Sequence, residues 1–204
     1  MTDRLATTEE GISRAAAILR SGGLVAFPTD TVYGVACAAS RPEAVEAIFA
    51  LKRRPAERQI PMLVGGVDDI ASEEWAVDER VRDLAARFWP GPLTLVVPSR
   101  DGGSSQAFRA PDHPIALALI EAAGPLFTTS ANVSGEPDTL DADDVLIAFA
   151  TQADTLAAVV DGGRVPRGVA STVLDLIARP AAILRDGPIG REALAERVEL
   201  ATAP

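Results

Sequence analysis

One cysteine, Cys37, and one histidine, His113, leave this chain nothing for an internal disulfide and almost nothing for a Cys/His metal centre. Counting alone does not exclude the two as a nucleophile and base, but Cys37 lies in an apolar run and reads as core. Aromatic residues make up only 4% of the 204 residues, so Leu, Val, Ile and Ala must fill the interior. Positive charge is also scarce. The 19 Lys and Arg against 29 Asp and Glu give a formal net charge of −10, which argues against a general binder of nucleic acid or anionic membrane, since such affinity relies on cations that release counterions. A local basic patch remains open. No apolar run approaches the roughly 18 residues of a membrane span, and MTDRLATTEEG lacks the apolar core of a signal peptide. A cytoplasmic location with no membrane partner is therefore expected. Neither a Walker A pattern nor G-x-G-x-x-G occurs, so a nucleotide would have to bind without either familiar glycine-rich loop.

What is present is a core-forming sequence, 48% hydrophobic, with no Pro/Gly/Ser-rich linker to divide it. One domain spanning 1–204, with its core at about 8–190, is expected. The stretch GGLVAFPTDTVYGVACAA organises it: Leu24 to Phe27 reads as a buried strand, and Pro28 withholds a ladder donor where Thr29, Asp30 and Thr31 arrive. These hydroxyls and carboxylate form either a small-molecule contact surface or a polar turn between two strands. Thr7 and Glu10 suggest a capping box for a helix through Leu19, and Ser40 and Glu43 a second box for a helix ending near Lys52. Further helices are expected at 78–88, 114–123, 141–149 and 191–198, and strands at 60–64, 93–97, 106–110, 126–129, 157–160, 171–176 and 182–184. Some strand-to-strand steps are too short for a crossover helix. The sheet must then be mixed, and the fold class is α+β, a three-layer single domain with a twisted mixed β-sheet.

Several polar groups stand out. Lys52, Arg53, Arg54 and Arg58 place four cations in seven residues at a helix end. They either complement the helix dipole or, with Lys52 and Arg54 pointing the same way and Arg58 adding a contact, clamp a polyphosphate. Ser130 and Asn132 can face one side of an extended chain and suit a phosphate or ribose, or they simply close a loop. Arg109 and Arg185 each lie at a strand end, and Ser171-Thr172 offers hydroxyls just ahead of a strand.

The ordered series PTDTVYG, KRRP, FWPGPLTLVV, FRAPDHP, TSANVSG, ASTVLDL and LRDGPIG, from residue 28 to residue 190, resembles the YrdC/TsaC family of L-threonylcarbamoyladenylate synthases. The resemblance implies a YrdC-like domain that joins L-threonine, bicarbonate and ATP into threonylcarbamoyl-AMP and pyrophosphate, for the t6A modification of tRNA. It implies ATP contacts and catalysis by Lys52, Arg54, Ser130 and Asn132, further nucleotide contacts by Arg58 and Arg185, and threonine contacts by Thr31, Arg109 and Ser171. Mg2+ would arrive with ATP, without a dedicated protein metal site. Downstream tRNA threonylcarbamoyl transferase machinery would take the product, and direct tRNA binding should be weak or absent.

Asp30 stands where many relatives have Glu, Arg53 replaces a common Gly, Thr129 a common small residue, and Leu63 a histidine that some relatives carry near the threonine site. The chain also stops soon after the family's core, without the C-terminal extension of longer relatives. The alternative reading is a paralogue of the same fold acting as a nucleotide- or double-stranded-RNA-binding module without synthase activity. A third, transfer of a plain carbamoyl group, belongs to relatives with much longer chains.

Overall fold

The computed structural model describes residues 1–53, 59–70, 74–165 and 168–202. Its strands are β1 (Asp3–Leu5), β2 (Leu24–Pro28), β3 (Tyr33–Ala38), β4 (Met62–Leu63), β5 (Leu93–Pro98), β6 (Ser105–Arg109), β7 (Leu126–Ser130), β8 (Leu156–Val160), β9 (Thr172–Asp175) and β10 (Ala182–Arg185). Its helices are α1 (Glu9–Arg20), α2 (Val45–Lys52), α3 (Glu79–Phe88), α4 (Pro114–Ala123), α5 (Ala142–Ala148) and α6 (Arg191–Ala195). The ten strands form one mixed sheet in the order β1-β8-β2-β3-β7-β4-β6-β5-β9-β10.

Local chemistry explains where the helices begin. Thr8, rather than Thr7, caps α1 by accepting from the Gly11 amide, and Asp78 and Asp141 cap α3 and α5 in the same way. The box expected at Ser40 does not form; a 3-10 turn over Pro42–Ala44 leads into α2, whose start has no side-chain cap. At its other end Arg53 takes the left-handed conformation, φ 51°, which costs a residue with a Cβ about 1–2 kcal/mol. The steric cost explains why a glycine suits this position.

Alternation along the strands sorts side chains between two faces. On one face, Leu24, Val35 and Cys37 pack with Ile48 and Leu51 of α2 and Val145 of α5. Further along, Leu95, Phe108 and Leu174 meet Val81 and Leu84 of α3 and Leu194 of α6. On the other face, Val25, Phe27 and Ala36 pack against Ala15 and Leu19 of α1 and Leu119 of α4. Helices on both sides of the sheet give three layers. The second face is covered by α1 and α4 around β1, β8, β2 and β3, with Leu126 of β7 and Leu63 of β4 at the margin. Beyond β7 the same face presents Thr94, Val96, Ala107, Arg109 and Val173 to a cavity instead.

Two strands were given no range in the sequence-based expectation, although the reading of Thr29 to Thr31 as a turn between two strands allowed for β3. The edge strand β1 is short, with only Leu5 of its three residues buried. β3 is buried at every position, so it shows no alternation of apolar and polar residues.

Candidate active site

The cavity has a volume of about 500 Å3, within the roughly 300–1,000 Å3 usual for small-molecule sites. Gly34 at its floor permits close packing of β3 on β7: a Cβ there would lie 2.8 Å from the Thr128 methyl. Three groups of polar side chains border the space.

The first is the turn after β2. Thr29 Oγ1 donates to the Val32 carbonyl at 2.7 Å and accepts from the Thr31 amide at 3.2 Å, so this hydroxyl shapes the turn. Thr31 Oγ1 lies 2.9 Å from Thr29 Oγ1 and accepts from Arg109 Nη1 at 3.0 Å. Arg109, 7% exposed, also donates from Nε to the Gly91 carbonyl at 3.0 Å and from Nη2 to Asp30 Oδ1 in a buried ion pair. Its guanidinium is thereby fixed on three sides. Asp30 is turned to this arginine, while the neighbouring Thr29, Thr31 and Val32 line the cavity.

The second group joins Ser171, Thr94 and Arg185. Ser171 Oγ lies 2.8 Å from Thr94 Oγ1 and accepts from Arg185 Nη2 at 3.0 Å, and Arg185 Nε donates to the Ser171 carbonyl at 2.9 Å. Partial desolvation lowers the Arg185 pKa, and the charge of Asp138, on the same cavity wall, raises it.

The third group unites two segments far apart in the chain. Lys52 Nζ, on a side chain buried at the end of α2, donates to the Asn132 carbonyl at 2.8 Å, to Asn132 Oδ1 at 3.0 Å and to the Ser130 carbonyl, with Ser130 Oγ 3.4 Å away. Ser130 Oγ in turn donates to Asn132 Oδ1 at 2.6 Å, and Asn132 Nδ2 donates to the Glu136 carbonyl at 2.6 Å. The lysine thus clips the loop after β7 to the end of α2. Ser130 lines the cavity, with Lys52 and Asn132 behind it.

Of the residues singled out in the sequence, Thr31, Arg109, Ser130, Ser171 and Arg185 border one cavity. Lys52 and Asn132 support its Ser130 side, and Arg54 and Arg58 lie outside the described residues. Leu63 also lines the cavity, in register with Arg109 on the neighbouring strand. Sequence reasoning missed Thr94 and Asp138. A polar residue between Leu93 and Leu95 in an otherwise apolar strand was the signal for the first; nothing local marked the second. Cys37 is fully buried, which pushes its thiol pKa up to about 12. It is core, not a nucleophile.

A Sua5/YciO/YrdC family model, described as "Telomere recombination", matches residues 17–187. The chain belongs to this family. It is 38% identical over 203 residues to a threonylcarbamoyl-AMP synthase of Bacillus subtilis, covering 94% of this chain and 58% of that protein. A putative threonylcarbamoyl-AMP synthase of Mycobacterium tuberculosis is 35% identical, with 91% of this chain and 88% of that one covered. Among solved family structures, Pyrococcus abyssi Sua5 in complex with L-threonine superposes with a TM-score of 0.88 at 35% identity, covering 98% of this chain and 62% of that one. The chain thus spans somewhat over half the length of the Bacillus and Pyrococcus relatives. No described helix is long and apolar enough to cross a membrane.

Proposed function

We propose that the chain is an L-threonylcarbamoyladenylate synthase, a nucleotidyltransferase that makes threonylcarbamoyl-AMP and pyrophosphate from L-threonine, bicarbonate and ATP for t6A modification of tRNA. The observation that carries this reading is the convergence on one cavity of two chemically distinct sets: an Arg109–Thr31 and Ser171 set suited to a small amino acid, and a Lys52–Ser130–Asn132 cluster with Arg185 suited to a nucleotide.

In this reading Arg109 holds the amino-acid carboxylate, with Thr31 and Ser171 taking its other polar groups. The threonine nitrogen condenses with bicarbonate, an N–C bond forming as a C–O bond breaks and water leaves, and an oxygen of the resulting carbamate attacks the α-phosphorus of ATP. The bond from that phosphorus to the bridging oxygen breaks, and the oxygen leaves with pyrophosphate. No histidine base is required, because the attacking oxygen is already an anion. The protein's work is alignment and neutralisation of charge. Arg185 and Lys52 supply that neutralisation, and Arg54 and Arg58, which lie outside the described residues, would add to it as the sequence resemblance implies.

Mg2+ would arrive bound to the nucleotide phosphates, which supply hard oxygen donors for it. Bound there, the ion would offset phosphate charge. The test is pyrophosphate release from ATP, which should require threonine and bicarbonate together. Release with either one alone would refute the synthase reading. A product handed to tRNA threonylcarbamoyl transferase machinery, and weak, salt-sensitive tRNA binding by the chain itself, complete the proposal.

A further inference from the structure

The turn after β2 holds two threonine hydroxyls within hydrogen-bond distance of each other, and their protons have one consistent arrangement. Thr29 Oγ1 donates to the Val32 carbonyl at 2.7 Å, and a hydroxyl has a single proton to give. That proton is therefore spent. Thr31 Oγ1 lies 2.9 Å from Thr29 Oγ1, a distance at which a shared proton holds two hydroxyl oxygens together, so the proton in that contact belongs to Thr31. The amides of Thr31 and Val32 approach Thr29 Oγ1 as well, at 3.2 and 3.3 Å, which makes this oxygen a collecting point for donors. Arg109 Nη1 donates to Thr31 Oγ1 at 3.0 Å. With its proton on Thr29 and one lone pair on Arg109, Thr31 keeps one lone pair for a ligand in the cavity that it lines. Both threonines are buried, and a hydrogen bond in such surroundings is stronger than one in water. The Ser171 group has the other polarity. Ser171 Oγ accepts from Arg185 Nη2 and lies 2.8 Å from Thr94 Oγ1, so that pair uses one of its two protons internally and keeps one for a ligand oxygen.

We propose that Thr29 is a positioning residue that sets the polarity of the amino-acid site: by giving its own proton to the Val32 carbonyl it draws the Thr31 proton onto itself, and Thr31 can then only accept from the substrate. The group that Thr31 takes is a donor of the amino acid, an N–H or the side-chain O–H, beside the carboxylate on Arg109. Were the Thr31 proton turned into the cavity instead, the substrate's donor would meet a proton and be left unpaired, which a site closed to water penalises. The proposal rests on the reading of the cavity as a threonine site with Arg109 on the carboxylate, and adds to it the direction of one hydrogen bond and the residue that enforces it.

Neutron diffraction from crystals of the wild-type protein exchanged into D2O locates these protons directly. The Thr29 deuteron should lie towards the Val32 carbonyl and the Thr31 deuteron towards Thr29 Oγ1; a Thr31 deuteron pointing into the cavity would overturn the proposal. A kinetic arm reads the consequence. Thr29→Val should raise KM for threonine about fivefold, the worth of one hydrogen bond, with kcat and KM for ATP unchanged, and Thr29→Ser, which keeps the hydroxyl, should match wild type. In a Thr31→Val background the same Thr29→Val change should move KM by less than about twofold, because its effect runs through the Thr31 hydroxyl. A rise there as large as in the wild-type background would mean that Thr29 acts through the turn backbone alone, and would also overturn the proposal. L-α-aminobutyrate, which keeps the N–H groups of threonine and lacks its hydroxyl, tells the two donors apart: Thr29→Val weakens its inhibition if Thr31 accepts from N–H and leaves it unchanged if Thr31 accepts from O–H. If the wild-type protein makes no threonine-dependent pyrophosphate, the synthase reading falls, and the deuteron positions alone decide the polarity of Thr31.

Discussion

Arg109 and Arg185 border the same cavity, yet they present opposite electrostatics. Arg109 is buried on β6 and neutralised by Asp30, and it also donates to Thr31 and Gly91. Arg185 is exposed at the end of β10 and rests on the hydroxyl and carbonyl of Ser171, with no ion pair among the described residues. A neutralised, immobilised guanidinium contributes geometry and little net field, which suits a small carboxylate recognised at short range. An uncompensated one keeps its field, which suits an approaching polyphosphate. One wall of the cavity is therefore built for shape and the other for charge.

The largest effect should come from breaking the shape side. Arg109→Ala leaves Asp30 as a buried carboxylate without its cation, a change that costs about 3–5 kcal/mol. At roughly 2–4 °C per kcal/mol for a chain of this size, thermal denaturation should show a fall on the order of 10 °C. Whatever folded protein remains should lose affinity for threonine and serine alike, because the carboxylate is common to both. A melting curve superimposable on wild type would erase the distinction between the two arginines.

Lys52→Ala should come next. It removes one donor from the carbonyl and amide oxygens of Ser130 and Asn132, for about 1–3 kcal/mol of stability, and synthesis should fall at least about tenfold as the Ser130 side of the cavity loosens. Its burial changes what the sequence suggests, since a clamp lysine reaching into solvent would cost activity alone. Arg185→Ala should instead leave the melting temperature within a degree or so, as exposed ionic contacts contribute little, while raising KM for ATP in a salt-dependent way. A large loss of stability there would mean the Ser171 contacts are structural, and the two walls would then differ less than their burial suggests.

Much of this was legible in the sequence because it rested on local rules. Helix α4 runs from Pro114 to Ala123 with Gly124 after it, as the proline and glycine punctuation indicates, and Asp78 and Asp141 cap the helices they precede. The residues of the cavity were legible too, as polar interruptions at strand ends. What could not be read was which of them face each other. Lys52 and Ser130 are brought together by the β3–β7 pairing and the packing of α2 beneath it, and the Asp30–Arg109 pair joins segments separated by helices α2 and α3 and by strands β3, β4 and β5. Pairings at that range depend on sheet order, and the place of the two-residue strand β4 between β7 and β6 cannot be read from its local sequence, which marks only that a strand is there.

The smallest expected effect concerns acid stability, and it separates the walls by a different measurement. Burial holds the His113 pKa below its ordinary value, so between that lowered pKa and the usual value near 6.5 the unfolded chain binds more protons than the folded one. Stability contributed by this group is then fully present above about pH 6.5 and is lost as pH falls through the folded-state pKa. The imidazole senses the charge of Asp30, on the shape side, and no histidine borders Arg185. Melting temperatures recorded from pH 7.5 down to pH 5 should therefore fall more steeply for wild type than for His113→Asn, which cannot take up the proton. The same comparison made on Arg185→Ala should reproduce the wild-type slope, because that substitution leaves the histidine in place. Parallel curves for wild type and His113→Asn would mean that His113 charges as readily in the folded protein as in the unfolded chain, and that its burial has no energetic consequence.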